Sequence, residues 1–549
     1  MVLKQAGVPR LMYRRHWLYV VGICLLISLP IFLYGIPNGV DLPHHYRLAL
    51  GFYDSIVNGD LYPSWLSSTN DGYGDPSVRF YPPGLYFLLS FFRLITRDWF
   101  VASQLTLSLL TVIGGLGMYL WARALTRPYY VVAASVLYLL SPFHANEMYQ
   151  SGMLAQYACA SVLPFVFAFT ERVIVRERWR DVGWLGLSYG LLILLHLPLA
   201  LLGSIAVGIY ALIRLLQSID KRSAYQLIAG ALFGLALSCF YWLPMLLELK
   251  WKSPSGGDQG AWFNYQNNFI FRTSPNEMGN WWLPYLTIFT LLMALPAIVL
   301  FARRKRRALA PAIIALFTFL MATPLSKPIW DALPSLQETQ FPWRWITITS
   351  TCLSLLVSIS LPYLVPMWST RLRPLTFAFF GISLIAVSFT LMQVIKGARF
   401  QNRADFNRMV ASLQGSETNR DFLPLWVEGK PQAMDQPVED SGRDVQVIDW
   451  SGNQRTFQVE AENQTEVRLK TFYYPHWKAT ADGERLATNP AEDGALLISV
   501  PPGAATIKVE FVEPASSYMA GAVSFIGLLV ITLALGNFLP IRMRSKIDE

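Results

Sequence analysis

The strongest constraint on this chain is a series of apolar runs almost free of charge, of which Trp99–Trp121 and Leu375–Val394 are the plainest. About 20 such residues, rising about 1.5 Å each along a helix, match a hydrocarbon core about 30 Å thick. Without water to satisfy peptide groups, each run must close its own hydrogen bonds as a helix. Composition agrees, with 53% hydrophobic and 15% charged residues over 549 positions, against roughly 25% charged in soluble domains. An ordinary soluble enzyme is excluded. The expected fold is mainly α, a polytopic membrane protein.

Hydropathy places about twelve spans, near residues 17–36, 99–121, 129–144, 153–173, 182–197, 199–217, 225–247, 281–302, 308–323, 343–365, 375–395 and 518–540. The run Trp17–Tyr34 follows Lys4, Arg10, Arg14 and Arg15. It is long for a signal peptide and has no small-residue cleavage pattern, so it reads as an uncleaved first helix. Pro82–Ile95 is short and contains Arg93. Counting it as a span would send the run Arg303-Arg304-Lys305-Arg306-Arg307 to the opposite face from the other basic clusters. Left out, it becomes an interfacial or re-entrant helix. Arg123/Arg127, Arg172–Arg180, Arg214/Lys221/Arg222, Arg371/Arg373 and Arg542/Arg544/Lys546 then share the cytoplasmic side with that run and both termini. The net charge of +9 is thereby explained by topology, and nucleic acid is not an expected partner. The four cysteines, Cys24, Cys159, Cys239 and Cys352, fall in apolar runs without metal spacing and read as buried hydrophobes.

The same topology divides the chain into a transmembrane part, 1–395, an extracytoplasmic part, 396–516, and a last span with a basic tail, 517–549. Residues 396–516 are polar and strand-like, with a helical lead-in at 396–415. The segments Val445–Trp450, Arg455–Glu460, Glu466–Tyr474, Trp477–Ala481, Ala495–Val500 and Thr506–Val512, with turns at Asp482-Gly483 and Pro501-Pro502-Gly503, point to a small β-sandwich. The outer loops 37–98, 145–152, 248–280 and 324–342 carry the unusual residues on the same face. A working site is expected there.

Asp41 follows the first span closely, and Asp41, His44 and His45 stand at helical spacing i, i+3 and i+4. Two roles stay open for Asp41: cap of the following helix, or general base towards a hydroxyl. His44 and His45 are candidate hydrogen-bonding partners of a substrate hydroxyl or phosphate; a zinc site is not supported, because no third histidine stands at ligand spacing. Asp75, Arg79 and Tyr81 precede Pro82-Pro83 and either contact a ligand or form a solvated loop. Glu147 sits in a short connection between spans, where a charge needs a partner or a cavity. Arg344, between Trp343 and Trp345, is either an interfacial anchor or a lipid-phosphate clamp.

An acid soon after the first span, a long outer loop with juxtamembrane helices, many spans and a late extracytoplasmic domain resemble the GT-C class of membrane glycosyltransferases. The stretch Arg79-Phe80-Tyr81-Pro82-Pro83-Gly84-Leu85-Tyr86 is similar to the Pro-Pro segment that opens the second juxtamembrane helix in that class. Asp41 with His44-His45, FYPPGLYFLLS, FPWRW at 341–345 and YYPHWKATADGE at 473–484 resemble more closely a bacterial membrane-protein family catalogued as "6-pyruvoyl-tetrahydropterin synthase-related". Pterin chemistry does not follow from that label, since the soluble synthase's zinc ligands have no counterpart in this sequence. The resemblance implies a multi-pass protein of the bacterial cytoplasmic membrane. It would move a hexosyl or pentosyl group from a polyprenyl-phosphate carrier to a glycan, lipid or protein acceptor. Asp41 would act as base and Arg79 or Arg344 would hold the departing phosphate. Asp75 or Glu147 would orient the sugar or hold a divalent cation, Mg or Mn, which some members of the class use. The chain has Arg79 where many members carry a second acid, with Asp75 farther back, which leaves the second acid and dependence on a divalent cation open. A non-catalytic envelope-assembly scaffold and a lipid-linked saccharide transporter or flippase are the alternatives. The transporter would need polar residues along a path, and the span interiors are poor in charge, with His196 the lone candidate.

Overall fold

A computed structural model describes residues 16–127, 130–218, 223–253, 263–271, 283–302, 306–364, 373–417, 422–429, 431–439 and 445–536. The basic residues Lys4, Arg10, Arg14, Arg15, Lys221, Arg222, Arg303, Arg304, Lys305, Arg371, Arg542, Arg544 and Lys546, used above for orientation, lie outside them.

Helices occupy all twelve places that hydropathy marks, from His16–Tyr34 to Ala515–Leu535. Among the described residues, six are by themselves long and apolar enough to cross a membrane. Two bent pairs, Ser223–Leu237 with Cys239–Trp251 (68°) and Arg306–Met321 with Pro324–Ala332 (84°), bring the number to eight. The segment expected at 129–144 is broken into Val131–Leu139 and Pro142–Asn146, because Pro142 cannot continue the first helix. Pro82–Ile95 becomes the helix Gly84–Thr96, whose 13 residues are too few to span. It buries Leu85, Tyr86 and Leu89 and exposes Phe91, Leu94 and Ile95, so its outward face is apolar too. Gly84 opens it because a Cβ there would sit 2.7 Å from the Leu194 carbonyl oxygen.

The first span ends in a two-residue strand, β1 (Ile36–Pro37), paired antiparallel with β2 (Phe400–Gln401) at the end of the helix Arg373–Gly397. The chain then turns into the helix Leu42–Val57 through Gly39, which lies directly on Gly152. A Cβ on residue 39 would stand 2.2 Å from the Gly152 backbone nitrogen, and backbone cannot step aside. We expect Gly39→Ala to cost about 1–3 kcal/mol by overpacking, measured as a lower Tm in detergent.

The strand-rich region is a two-sheet, wholly antiparallel sandwich. One sheet orders β3 (Val438–Glu439), β6 (Thr465–Phe472), β10 (Ala495–Val500) and β9 (Thr488–Pro490). The other orders β4 (Gln446–Ser451), β5 (Gln454–Ala461), β11 (Gly503–Phe511), β7 (Trp477–Ala481) and β8 (Glu484–Leu486). Inward residues alternate along β5 and β7, giving a core of Phe457, Val459, Val467, Leu469, Trp477, Leu496, Ile498, Ile507 and Val509. Trp65 and Tyr73 of the first loop are part of this core. Trp65 meets the rings of Trp477 and Phe511 at 5.6 Å, and the Phe472 N–H donates to the Tyr73 carbonyl at 2.9 Å. The sandwich therefore closes around a piece of chain more than 300 residues earlier, and the first loop is fixed to it.

The four unusual loops gather on the side that carries the sandwich. The first is built into it, and the Asp41 N–H of that loop donates to the Ser151 carbonyl of the second. The third pairs with the sandwich approach through Lys252 and Pro424. The fourth meets the second through the rings of Phe143 and Trp343, 6.0 Å apart.

Candidate functional site

Asp41 holds the N-cap position of Leu42–Val57, but its side chain makes no capping hydrogen bond. Pro43 in the first turn removes one donor and presets the backbone, so the helix starts without the carboxylate. Of the two roles left open by the sequence, the cap is therefore not used. Asp41 is exposed as a residue, yet enough protein surrounds it that burial raises its pKa from 3.8 to about 6, with Arg344 opposing the rise.

His44 and His45 follow on the same turn. Burial, with Arg47 adding to it, lowers His44 to about 4, and burial with His44 lowers His45 to about 3. Both are neutral at pH 7 and offer hydrogen bonds, not charge. His45 is buried with Nδ1 3.4 Å from the Tyr86 hydroxyl. His44 is partly exposed and packs its ring against Tyr81 at 5.9 Å and Phe422 at 6.1 Å. Tyr81 belongs to the same neighbourhood: burial and the Asp41 charge push its phenol up, and Arg344 pulls it down.

Arg344 ends a short 3₁₀ turn, Pro342–Arg344, that leads into the helix Trp345–Leu364. Its guanidinium is buried over the Phe341 ring at 4.7 Å. Nε donates to Gln156 Oε1 at 2.9 Å, and Nη1 donates to the Thr339 carbonyl. Among the described residues none of its hydrogen bonds goes to a carboxylate. Gln156 turns its other end to Glu147, with Nε2 donating to Oε1 at 2.7 Å. Glu147 also accepts from Thr347 at 3.0 Å and lies 3.3 Å from His144 Nδ1. This fully buried acid thus acts on the site through Gln156, by fixing the Arg344 side chain. Its segment, Glu147–Ser151, is a π-helical turn, a local irregularity that often marks functional sites.

Asp75 and Arg79 are placed elsewhere. Asp75 is buried within its own loop: Oδ2 accepts from Thr69 at 2.5 Å and Asn70 at 3.0 Å, and Oδ1 accepts from the Ser77 N–H at 2.7 Å. Arg79 is clamped by Glu248 through Nε and Nη2, 2.5 Å each, and by Glu513 at 2.6 Å. Neither is turned to Asp41. The short spacing of Asp75, Arg79 and Tyr81 suggested one shared site, but the tight turn at 70–76 sends the first inward and the four-residue helix Ser77–Phe80 directs the second to the sandwich junction.

Gln156, Thr339 and Thr347, which surround Arg344 and Glu147, are not singled out by the sequence, because uncharged polar residues in spans and loops carry no distinguishing signal. Glu248 and Glu513 sit at span ends, a weak hint. The YYPHW segment does have a structural role: the Tyr474 hydroxyl donates to Glu248 at 2.6 Å and His476 Nε2 lies 3.0 Å from it.

A divalent cation does not fit the carboxylates proposed for it. Asp75 spends its oxygens on Thr69, Asn70 and Ser77, while Glu147 is held by Gln156, Thr347 and His144 in a separate place. Among the described residues no three His, Cys, Asp or Glu side chains group as ligands.

The sequence model of a family described as "6-pyruvoyl-tetrahydropterin synthase related domain; membrane protein" matches residues 78–400, more than half of the chain. The chain belongs to this family. The match covers Arg79, the Pro-Pro segment, Glu147 and Arg344, whereas Asp41 and the sandwich fall outside it. No curated protein matches the family member described here in sequence. Several solved membrane enzymes are similar in structure. Arabinofuranosyltransferase AftD from Mycobacteria aligns with a TM-score of 0.46 and 17% identity over 69% of this chain and 28% of that one. ArnT from Cupriavidus metallidurans bound to undecaprenyl phosphate gives 0.42 and 14% over 73% and 74%. The Archaeoglobus fulgidus oligosaccharyltransferase gives 0.37 and 15% over 74% and 56%. The chain spans little more than a quarter of the length of the mycobacterial protein.

Proposed function

We propose that this family member is a GT-C-type glycosyltransferase of the bacterial cytoplasmic membrane. It moves a hexosyl or pentosyl group from a polyprenyl-phosphate carrier to a hydroxyl of a glycan, lipid or protein acceptor, with the sandwich and residues 396–516 outside the cytoplasm. One observation carries the reading: the uncapped carboxylate of an exposed residue, Asp41, shares its surroundings with a buried guanidinium, Arg344. Asp41 and Glu147 act on this guanidinium only through space, so among the described residues it has no hydrogen-bonded carboxylate and its planar fork suits a phosphate.

In this reaction Asp41 takes the proton of the acceptor hydroxyl as that oxygen attacks the anomeric carbon. The bond from that carbon to the carrier phosphate breaks, and its electron pair stays on the phosphate oxygen. Arg344 stabilises this growing charge while Gln156 and Glu147 hold the guanidinium in place. Asp41 then gives its proton to water. A pKa near 6 strengthens the base and leaves it mostly ionised at pH 7. Neutral His44 and Tyr81 stand beside it to hydrogen-bond sugar hydroxyls.

The test is transfer of a labelled sugar from polyprenyl phosphate by the purified protein. We expect Arg344→Gln to lower kcat about 10²–10³-fold, with Arg344→Lys recovering part of the rate because the charge returns without the fork. Unchanged transfer by Arg344→Gln removes the phosphate role.

A further inference from the structure

A cavity of about 470 Å³ lies where the sandwich, the first loop and the last helix meet. Its walls divide by chemistry. One side carries Asp60, Asn453 and Glu513; the other carries Phe87, Phe240 and Gly521. Phe240 and Gly521 belong to the helices Cys239–Glu248 and Ala515–Leu535, so the apolar side continues into the membrane, while the polar side is formed by the first loop and the sandwich. Such a cavity fits an amphiphile held at the lipid–water boundary.

Charge decides which headgroup fits. Arg79 also reaches the cavity, but its guanidinium is already claimed by Glu248 and Glu513. With Asp60 that makes three carboxylates against one cation, so a phosphate would meet net repulsion. Asp60 Oδ2 accepts from Asn453 Nδ2 at 2.9 Å, joining first loop and sandwich; the Tyr62 and Ser64 N–H groups also donate to Asp60, so the second Asn453 N–H and the remaining carboxylate capacity are what can serve hydroxyls. Aromatic rings of Tyr62 and Phe240, 5.0 Å apart and edge to face, supply flat apolar surface for a sugar ring.

From this we propose that the cavity binds an uncharged, lipid-borne sugar headgroup, its hydroxyls on Asp60 and Asn453 and its chains along Phe87, Phe240 and Gly521. None of Asp41, His44, Tyr81 and Arg344 lines it, so it is a glycolipid site apart from the chemistry of the proposed function. The binding itself needs no turnover.

Gly521 supplies a clean probe, because a Cβ there meets nothing within 4 Å. Leucine at that position fills the cavity without pressing on the fold, and helix propensity favours the change. Binding of monohexosyl diacylglycerol is followed by native mass spectrometry in the Asp41→Asn background, so the result is independent of catalysis. We expect retention to fall at least tenfold in Gly521→Leu and in Asn453→Ala, with Tm unchanged for the former. Phosphatidylglycerol should bind at least tenfold more weakly than the glycolipid. Equal retention in both variants overturns the proposal, as does preference for phosphatidylglycerol. Free maltose bound as tightly as the glycolipid overturns the lipid-borne part. Indifference between glycolipid and diacylglycerol overturns the sugar part.

Discussion

Asp41→Asn is expected to lower sugar transfer by about 10²–10⁴-fold, the usual worth of a positioned general base, and to leave the protein no less stable. The two halves of this result come from one cause. Burial lifts the Asp41 carboxyl from 3.8 to about 6, so the folded state prefers the protonated acid. The associated stability is fully present below the unfolded pKa and is lost as pH rises through about 6. At pH 7 the ionised carboxylate therefore detracts from folding, and the neutral amide removes that cost. Because Asp41 makes no capping bond, the amide gives up no helix contact either. The Tm of the variant should equal or exceed that of the parent at pH 7, with the difference closing below pH 4. Transfer by the parent should fall as pH drops below about 6, where the base is protonated. Two outcomes sink the assignment: transfer by the variant at the parental rate, or a lower Tm, which would show that the side chain holds structure after all.

The contrast between what the sequence disclosed and what it hid has a physical basis. Membrane spans, the sandwich strands and the short helix Gly84–Thr96 were legible because each rests on local periodicity or on a length set by the bilayer. Asp41 was legible for a similar reason, being a carboxylate where few are tolerated. The count of twelve spans was less so: six helices pass alone, and the bent pairs show that a proline or a broken turn can hide inside one apolar run. Grouping of Arg79 with Asp41 misjudged direction. Spacing along a chain places side chains on a shared face only within a regular element, and between Asp75 and Tyr81 the backbone passes through a turn and a single helical turn. Pairings such as Gln156 with Arg344, 188 residues apart, or Trp65 with Trp477 depend on packing that local patterns do not encode. The insertion of Trp65 and Tyr73 into the sandwich core also alters the meaning of the boundary near 396: composition changes there, but the packing unit reaches back into the first loop.

Arg79 gives the sharpest separation between a cation that works on a ligand and one that holds the fold. Removing its guanidinium in Arg79→Met is expected to cost about 3–5 kcal/mol, the range for breaking a buried ion pair from one side. The side chain is 4% exposed and so is Glu248. Glu248 also collects the Tyr474 hydroxyl and His476, while Glu513 lies just before the last helix. The clamp thus joins the end of one span, the first loop, the sandwich and the start of the last span. Without the guanidinium, two carboxylates remain facing each other beside Phe511, over which Arg79 now sits at 5.8 Å. The variant should lose its cooperative unfolding transition at a far lower temperature than the parent, and the sandwich should become open to protease. Neutralising one acid as well, in Arg79→Met with Glu248→Gln, should recover part of the loss, since the pair are coupled through contact. Acidity acts in the same direction. Burial alone would raise the Glu513 carboxyl, but Arg79 beside it holds it below 4.5. Its contribution is therefore complete above pH 4.5 and is lost as pH falls through the lowered folded value. A phosphate-binding arginine predicts the reverse pattern: a folded variant with normal Tm, weak substrate binding and no rescue by Glu248→Gln. That pattern belongs to Arg344, whose guanidinium answers to a glutamine and a carbonyl rather than to a carboxylate. Measured side by side, the two arginines should fail differently, one in Tm and one in transfer.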